Sequence, residues 1–561
     1  MEASMNRMRQ LTHPGYFLRR ALQPLLIVPF LLTSIAWAQP NVVVVMVDDL
    51  GLRPFNQLLQ DGWLPNIENH LINSGIEFNN AFVTNSACCP SRVTFLRGQY
   101  SHNHRVFSNH SPDPFKAGIA WPGWFSKNGV PGRNESTLAT WLQDAGYHTV
   151  HVGKYLNGYG SVAPDDVADP RTYVPPGWSE WYASVGISTC QMFDVLMNHN
   201  GMLVQYGNTE ADYQTDIYKD LAVDFIQRAA NMPEPFFLFV SPLAPHLEVI
   251  DPLPVLQAND PRDGLAATVR PAPRHEHLID GDSVNGEMTA LPQLPSFNEA
   301  DLTDKPSCPR PLPPEGIAYV TDPMCVGDAL PWRPEPDLPN LELQIKTMLT
   351  SMLAVDDMVG DIVTELSNTG VLDNTVIIFV SDNGWMSGEH RLIGKDYAYE
   401  ESIRIPLIIR SPSGLTSIKS DLIVLNNDLA PTIIDIAGVA APYEMDGTSM
   451  VPLLSNPANV NWHRHAFLYE HWFVPSLFKH EVPTQFAFRR KFGAQDFSYM
   501  ATHSDQSTPG QATHHEFYNL PNDPYQMESL PLPGALTSLL DQVLRLFLLC
   551  SGTSCQDLEN L

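Results

Sequence analysis

Four short stretches of this 561-residue chain carry side chains that could do chemistry together. Residues 41–51, NVVVVMVDDLG, place Asp48 and Asp49 directly after a β-branched run, and residues 374–384, NTVIIFVSDNG, place Asp382 and Asn383 in the same position. A third apolar run, EPFFLFVSPLAPH at 234–246, ends on His246. Carboxylates with an amide carbonyl are the oxygen set that Ca²⁺ or Mg²⁺ takes, whereas zinc more usually recruits His and Cys. A single Asp after a strand is ordinarily a turn or cap residue. Two adjacent acids after one strand and Asp-Asn after another are different, because clustered acids repel unless something positive sits between them. The fourth stretch, SACCPSRVTFLRG at 86–98, sets Cys88 beside Cys89 and is followed by Pro, Ser and Arg92.

The elements that must hold these residues follow from the same runs. A continuous β-branched segment suits a parallel strand buried on both faces. Residues 405–412, IPLIIRSP, read as a fourth strand, and helical patterns at 136–146 and 343–370 lie between the strands. Such alternation implies a largely parallel α/β sheet sandwiched by helices. Ligands in such sheets gather beyond the carboxyl ends of the strands, so Asp48, Asp49, Asp382, Asn383 and His246 should meet on one edge. Residues of about 251–340 are proline-dense and lack apolar periodicity, and read as a surface insertion in a catalytic domain spanning 39–455. From 456 to 561 the alternation stops: TQFAFRRKFG, DFSYMATHS and HEFYNLPNDP read as short antiparallel strands and LTSLLDQVLRLFLL as a helix, a smaller α+β subdomain.

The formal charge of −29 argues against nucleic acid as a partner, although a local basic pocket can still hold one anion. At the front, Arg7, Arg9, Arg19 and Arg20 accompany an apolar stretch, and Ala36-Trp37-Ala38 has small-x-small form, so residues 1–38 read as a signal peptide cut after Ala38. Pro24 and Pro29, and an uninterrupted apolar run shorter than the ~20 residues of a membrane span, argue against an anchor. The expected protein is exported, without stable membrane insertion: secreted or periplasmic, or lysosomal in a eukaryote. Export makes the cysteines candidates for pairing. There are seven, an odd number: Cys88, Cys89, Cys190, Cys308, Cys325, Cys550 and Cys555. Cys550 with Cys555 and Cys308 with Cys325 are expected to pair. Cys89 reads as a buried small side chain or a partner for Cys190. NHS at Asn109 and NES at Asn134 have the form of glycosylation acceptors.

CCPSR followed by VTFLRG resembles the modification motif of the type I sulfatases, Cys-x-Pro-Ser-Arg with an apolar spacer and Gly. It lies about 40 residues after a strand ending in Asp-Asp, as in that family. The resemblance implies that a separate formylglycine-generating enzyme oxidises Cys88 to formylglycine, with Cys89 in the variable position. It extends over most of the chain. VGKYLNGYG at 152–160 resembles the lysine-bearing motif and places Lys154 in the site; SPLAPH places His246 facing the leaving group; SDNG resembles the second metal segment. GEHRLIGKDYAYEESIRIPLIIR at 388–410 places Lys395 near the sulfate, and EFYNLPNDPYQMESL resembles the C-terminal signature. The implied fold is the alkaline-phosphatase-like sandwich, a mixed, largely parallel sheet between helices. The implied cofactor is one divalent cation, Ca²⁺ by preference, held by Asp48, Asp49, Asp382, Asn383 and the modified Cys88. The catalytic set is then Cys88, Arg92, Lys154, His246 and Lys395.

Many arylsulfatases carry histidine two residues after the first catalytic lysine. Here that position is Leu156, followed by Asn157, and His390 is a further pocket candidate. GKYLNGYG with YVPPGWSEW is instead similar to the glucosamine-6-sulfatases and the extracellular heparan endosulfatases. The implied chemistry is sulfate monoester hydrolysis: one hydroxyl of a formylglycine hydrate attacks sulfur and the other drives release of sulfate, two easier steps in place of one. His246, with a pKa near working pH, is the expected proton donor to the leaving alcohol. A sulfated sugar or aryl sulfate is the expected substrate. A phosphate or phosphonate monoester hydrolase on the same scaffold, or an inactive sulfated-glycan binding protein, is the alternative.

Overall fold

Alternation along one strand decides how the main sheet is covered. In β1 (Asn41–Val47) every residue is buried. Val42, Val44 and Met46 join one apolar cluster, and Val43, Val45 and Val47 join another on the opposite face. The structure, a computed structural model, describes residues 39–111, 118, 123–125, 131–248, 269–279, 287–288, 291–306, 338–412, 414–456, 461–473, 482–503 and 512–561. The proposed signal peptide, much of the proline-rich insertion, and Cys308 and Cys325 lie outside the described residues.

The strands following β1 are β2 (Ile76–Phe82), β3 (His148–Gly153), β4 (Glu180–Ser184), β5 (Leu196–His199), β6 (Met202–Gln205), β7 (Phe236–Ser241) and β8 (Thr375–Ser381). A short pair, β9 (Met386–Ser387) and β10 (Ile393–Gly394), precedes β11 (Arg404–Ile405), β12 (Leu407–Arg410) and β13 (Ile418–Leu425). The spatial order is β11-β2-β12-β8-β1-β7-β3-β4-β5-β6, with β13 on β2. The five strands β8-β1-β7-β3-β4 are mutually parallel. β12 runs antiparallel to β8. This departs from simple alternation, because between Asp382 and Pro406 the chain makes no crossover helix of the length a parallel return needs.

Helices cover both faces. Cys88–Arg97 and Leu429–Ile436 contribute to the first cluster. Leu52–Gln60, Gln214–Ala229 and the long Leu338–Asn368 contribute to the second. The C-terminal part is a four-stranded antiparallel meander, β14 (Ala466–His471), β15 (Thr484–Phe492), β16 (Gln495–His503) and β17 (His514–Asn519), backed by the helix Gly534–Phe547. Sequence reading missed β14. All six of its residues are buried, so it lacks the alternation that marks a half-exposed strand. The described part of the insertion is packed: Phe297 bridges to Glu389, and the Lys305 ammonium donates to the carbonyls of Gln526 and Met527. Cys550 and Cys555 form a disulfide, and Cys88, Cys89 and Cys190 are free thiols. No helix among the described residues is long and apolar enough to cross a membrane.

Candidate active site

The carboxyl ends of four adjacent parallel strands build the site. β1 delivers Asp48 and Asp49. Asp49 has φ of +67°, a left-handed conformation that short polar side chains tolerate better than most. Its N–H donates to Asp382 Oδ1 (3.1 Å), and the N–H of Leu50 donates to Ser381 Oγ (2.9 Å). β8 delivers Asp382 and Asn383. Gly384 must follow, since a Cβ there would lie 2.1 Å from the Glu401 carbonyl oxygen. β3 delivers Lys154, whose N–H donates to the carbonyl of Ser241 at the end of β7 (2.8 Å). The chain beyond β7 then brings in His246.

Cys88 is the first residue of the helix Cys88–Arg97, where unpaired N–H groups and the helix dipole favour negative charge. Arg92 follows at i+4, on the same face. Asn109 Oδ1 accepts the Cys89 N–H (2.8 Å), and Ser91 Oγ donates to the Asp382 carbonyl (2.5 Å). These bonds tie the helix start to the strand ends.

The nine side chains singled out in the sequence, with Ser241, form one largely buried network. Cys88 Sγ is 3.2 Å from Asp48 Oδ1 and 2.6 Å from Lys395 Nζ. Lys395 also pairs with Asp49, and Lys154 with Asp48. Arg92 donates to Asp382 Oδ2 (2.7 Å), Asp48 Oδ2 (3.2 Å), the Lys154 carbonyl (2.9 Å) and Ser241 Oγ (2.6 Å). Asn383 Nδ2 lies 2.5 Å from Asp49 Oδ1. His246 Nε2 is 3.5 Å from Asp49 Oδ2.

Charge and burial compete throughout. Burial works to raise the Asp48 carboxyl, but Lys154, Arg92 and Lys395 hold it well below the usual range. Asp382 is pushed up, by burial and then by the Asp48 charge. Burial followed by Asp48 pushes the Cys88 thiol well up, so an unmodified Cys88 is a poor nucleophile. Burial pulls down on Lys395 and Lys154, yet the facing carboxylates keep both raised and charged. His246 is lowered to about 4 by burial, against the pull of Asp49 and Asp48. Its expected pKa near working pH therefore does not describe the free protein, in which the ring is neutral.

The donor set fits a hard cation. Asp48, Asp49, Cys88 and His246 offer ligand atoms all within 4.8 Å of one another. Asp49 Oδ2 and Asn383 Oδ1 are buried without a hydrogen-bond partner, a costly state for oxygens unless something positive is shared between them. His246 Nδ1 faces the Leu247 carbonyl (2.6 Å) and so carries the ring proton. Nε2 then presents a lone pair toward Asp49 Oδ2 (3.5 Å), an arrangement that a proton on Nε2 relieves.

The sulfatase family model, described simply as "Sulfatase", matches residues 40–439. The chain belongs to the sulfatase family. A second model, "N-sulphoglucosamine sulphohydrolase, C-terminal", matches residues 388–544. The chain is 31% identical over 424 residues to the extracellular sulfatase SULF-1 homologue of Drosophila melanogaster, covering 74% of this chain and 31% of that one. It thus spans about a third of the length of that relative. It is 30% identical over 432 residues to N-acetylglucosamine-6-sulfatase of Homo sapiens, covering 76% of this chain and 66% of that one. Among solved structures it resembles a protein in complex with its substrate D-glucosamine-2-N,6-O-disulfate, with a TM-score of 0.63 and 23% identity, covering 93% of this chain and 98% of that one. The likeness is one of fold, alkaline-phosphatase-like with a C-terminal subdomain.

All nine residues singled out in this sulfatase's sequence meet in the one network, with Asp382 committed to Arg92 and the Asp49 N–H. His390 stands apart: its Nδ1 pairs with Glu299 Oε2 (2.6 Å) and its ring stacks on Tyr399. Sequence reasoning missed Ser241 and Ser381, although the rule of strand carboxyl ends points to both. Ser91 belongs to the motif, but its type and place alone assign it no task. Asn109 and Asn134 are buried, and their amides bond to the Cys89 N–H and to Tyr173 Oη (2.8 Å), so they are not glycan acceptors in the folded protein.

Proposed function

We propose that this chain hydrolyses sulfate monoesters of sugars, using Cys88 as formylglycine and a divalent cation, Ca²⁺ by preference, at Asp48, Asp49, Asp382, Asn383 and residue 88. The observation that carries the reading is the place of Cys88: buried at a helix start, within reach of Asp48, Asp49 and Lys395, and inside the only ligand cluster among the described residues that is not built on a disulfide.

The cation would polarise sulfate oxygens and lower the pKa of the nucleophile. The aldehyde hydrate would supply an oxygen nucleophile and a second hydroxyl that releases sulfate without attack of water on sulfur. Lys395, nearest to position 88, holds the nucleophile's negative charge, and Lys154 and Lys395 neutralise charge developing on the sulfate oxygens. Arg92 fixes residue 88 through Asp48 and Asp382. His246 is neutral in the free protein; the anion of a bound ester favours its protonation, and the imidazolium then gives its Nε2 proton to the departing alcohol. The names of the relatives support a sulfated amino sugar as substrate and maturation by a formylglycine-generating enzyme during export, with cleavage after Ala38. Asn157, whose side-chain oxygen is buried and unpartnered, is offered for the missing pocket histidine.

Peptide mass measurement on active protein tests the core of this reading. An aldehyde at Cys88 is expected, and an unmodified thiol in active material overturns it. Cys88→Ala should abolish turnover with the fold intact, and activity above about a tenth of wild type refutes the nucleophile role. Faster turnover of an aryl phosphate than of the matching aryl sulfate would move the assignment to phosphate esters.

A further inference from the structure

The helix Gly534–Phe547 turns one apolar stripe to its own sheet and leaves a second one bare. Leu540, Leu544 and Phe547 are buried in the cluster that holds Phe486, Phe488 and Tyr499. Leu536, Leu539 and Leu546, with Leu549 just past the helix end, are 38%, 55%, 54% and 82% exposed. Together with Ala535 and half-buried Val543 they cover about 140° of the helix circumference, at 100° per residue, and only Gln542 interrupts them. A helix apolar over so much of its surface is ordinarily enclosed. Among the described residues nothing encloses this side.

The spacing is self-complementary. Leu536 and Leu549, Leu539 and Leu546, and Gln542 and Val543 are three pairs placed symmetrically about the midpoint between residues 542 and 543. An antiparallel approach of the same helix from a second copy sets Leu539 against Leu546 twice over near the centre of the stripe, with Leu536 and Leu549 at its edges, which is the repetition a two-fold contact requires. Charge does not oppose it. Although the chain carries −29 overall, the helix has one acid and one base, Asp541 and Arg545. The size also fits. The four leucines leave open more than two whole residues' worth of surface per copy, a patch of a few hundred Å². Two such patches with their rim approach the ~1,000 Å² at which specific association begins.

We propose that this stripe is a homodimer contact, in which the helices Gly534–Phe547 of two copies pack antiparallel about a two-fold axis beside Gln542. The area implies a weak dimer that forms in the micromolar range. Sedimentation velocity of the mature chain should move from monomer to dimer between about 1 and about 200 µM. Leu539→Glu with Leu546→Glu should remain monomeric at the same concentrations, with unchanged sulfate-ester turnover and unfolding midpoint, since both side chains are exposed and neither touches the site. Gln542→Cys lies beside the axis and should form an interchain disulfide under mild oxidation. A wild-type chain that stays monomeric throughout, a double glutamate variant that dimerises as wild type does, or a Gln542→Cys chain that stays uncrosslinked in the dimer each overturns the proposal.

Discussion

Arg92→Met tests whether the site is held by charge compensation. Arg92 is buried and offers four donor contacts, to Asp382, Asp48, the Lys154 carbonyl and Ser241 Oγ. Methionine keeps most of the volume and removes the charge. Breaking a buried ion pair by deleting one partner costs about 3–5 kcal/mol, and the orphaned Lys154 carbonyl adds roughly 1 kcal/mol. Stability at pH 7.5 should therefore fall by roughly 4–6 kcal/mol, a large share of the 5–15 kcal/mol of an ordinary domain. The sign of the pH dependence separates this from a packing defect. Asp382 is already raised, by burial first and then by Asp48, and the Arg92 guanidinium opposes them more strongly than Lys395 or Lys154 does. Without Arg92 its folded pKa rises further above the unfolded value. A carboxyl raised in the folded state costs its full amount above that folded pKa, and the cost shrinks as pH falls from there toward the unfolded value. The deficit should thus shrink by up to about 1.4 kcal/mol per pH unit for the one proton taken up. Urea unfolding of both proteins at pH 7.5, 6.5 and 5.5, followed by tryptophan fluorescence, reads this directly. A deficit under about 1 kcal/mol, or one that is the same at all three pH values, refutes the compensation argument.

His151 is fully buried, stacks on Trp181, and is lowered to about 3, chiefly by burial. The unfolded chain binds the proton first, so stability is lost as pH falls below 6.5; His151→Phe should recover about 3 kcal/mol at pH 4.5 and little at pH 7.5, measured by urea midpoints. Gly384→Ala drives a Cβ into the Glu401 carbonyl and should displace Asn383, lowering kcat/KM at least ~10-fold while far-ultraviolet circular dichroism is unchanged. Glu559 pairs with buried Arg464 (2.8 Å) and accepts from Tyr100 Oη (2.6 Å). Glu559→Ala should lose about 3–5 kcal/mol in urea unfolding. Product sulfate should raise the unfolding temperature of the Ca²⁺-loaded protein and should do so much less after chelation, as read by calorimetry.

The parts of the site that lie on strand ends were legible because two physical patterns coincide there: an apolar β-branched run that can only be an interior strand, and polar residues immediately after it. Asp48, Asp49, Asp382 and Asn383 are of this kind, and His246 follows β7 after a short loop. Lys154 and Lys395 are not. Nothing in their local periodicity distinguishes them from surface lysines, and only the resemblance of their surrounding motifs placed them. The supports were the least legible. Tyr100, His102, Asn103 and Asp446 tie the segment after the Cys88 helix to Glu559, to the Cys550 carbonyl and to the Gly552 N–H. These partners lie more than 100 residues apart in sequence, and no periodic signal spans such a distance. β12 was found as a strand but not as an antiparallel one, because direction depends on what the connecting loop does rather than on the strand's own residues.

The charges in the site also explain why cation and anion should act together. Arg92, Lys154 and Lys395 face Asp48, Asp49 and Asp382, three positive groups against three negative ones in a volume closed to water. In that state the two lysines are engaged with Asp48 and Asp49 and have little charge to offer an incoming sulfate ester. A divalent cation on the proposed Asp48 and Asp49 oxygens would compete with the lysines for the same carboxylates. It would leave the site with excess positive charge, and both ammonium groups would keep their proton because they are raised. Binding of an anion would then stabilise the cation-loaded form by whatever factor the cation gained for the anion, since the two equilibria are linked. Asp382 would keep its bonds through this exchange. With one oxygen on Arg92 and the other on the Asp49 N–H, it would hold the frame and offer the cation only its remaining lone pairs, while the other two carboxylates changed partners. The acids at the ends of β1 and β8 therefore divide the work by their hydrogen bonds rather than by their residue type.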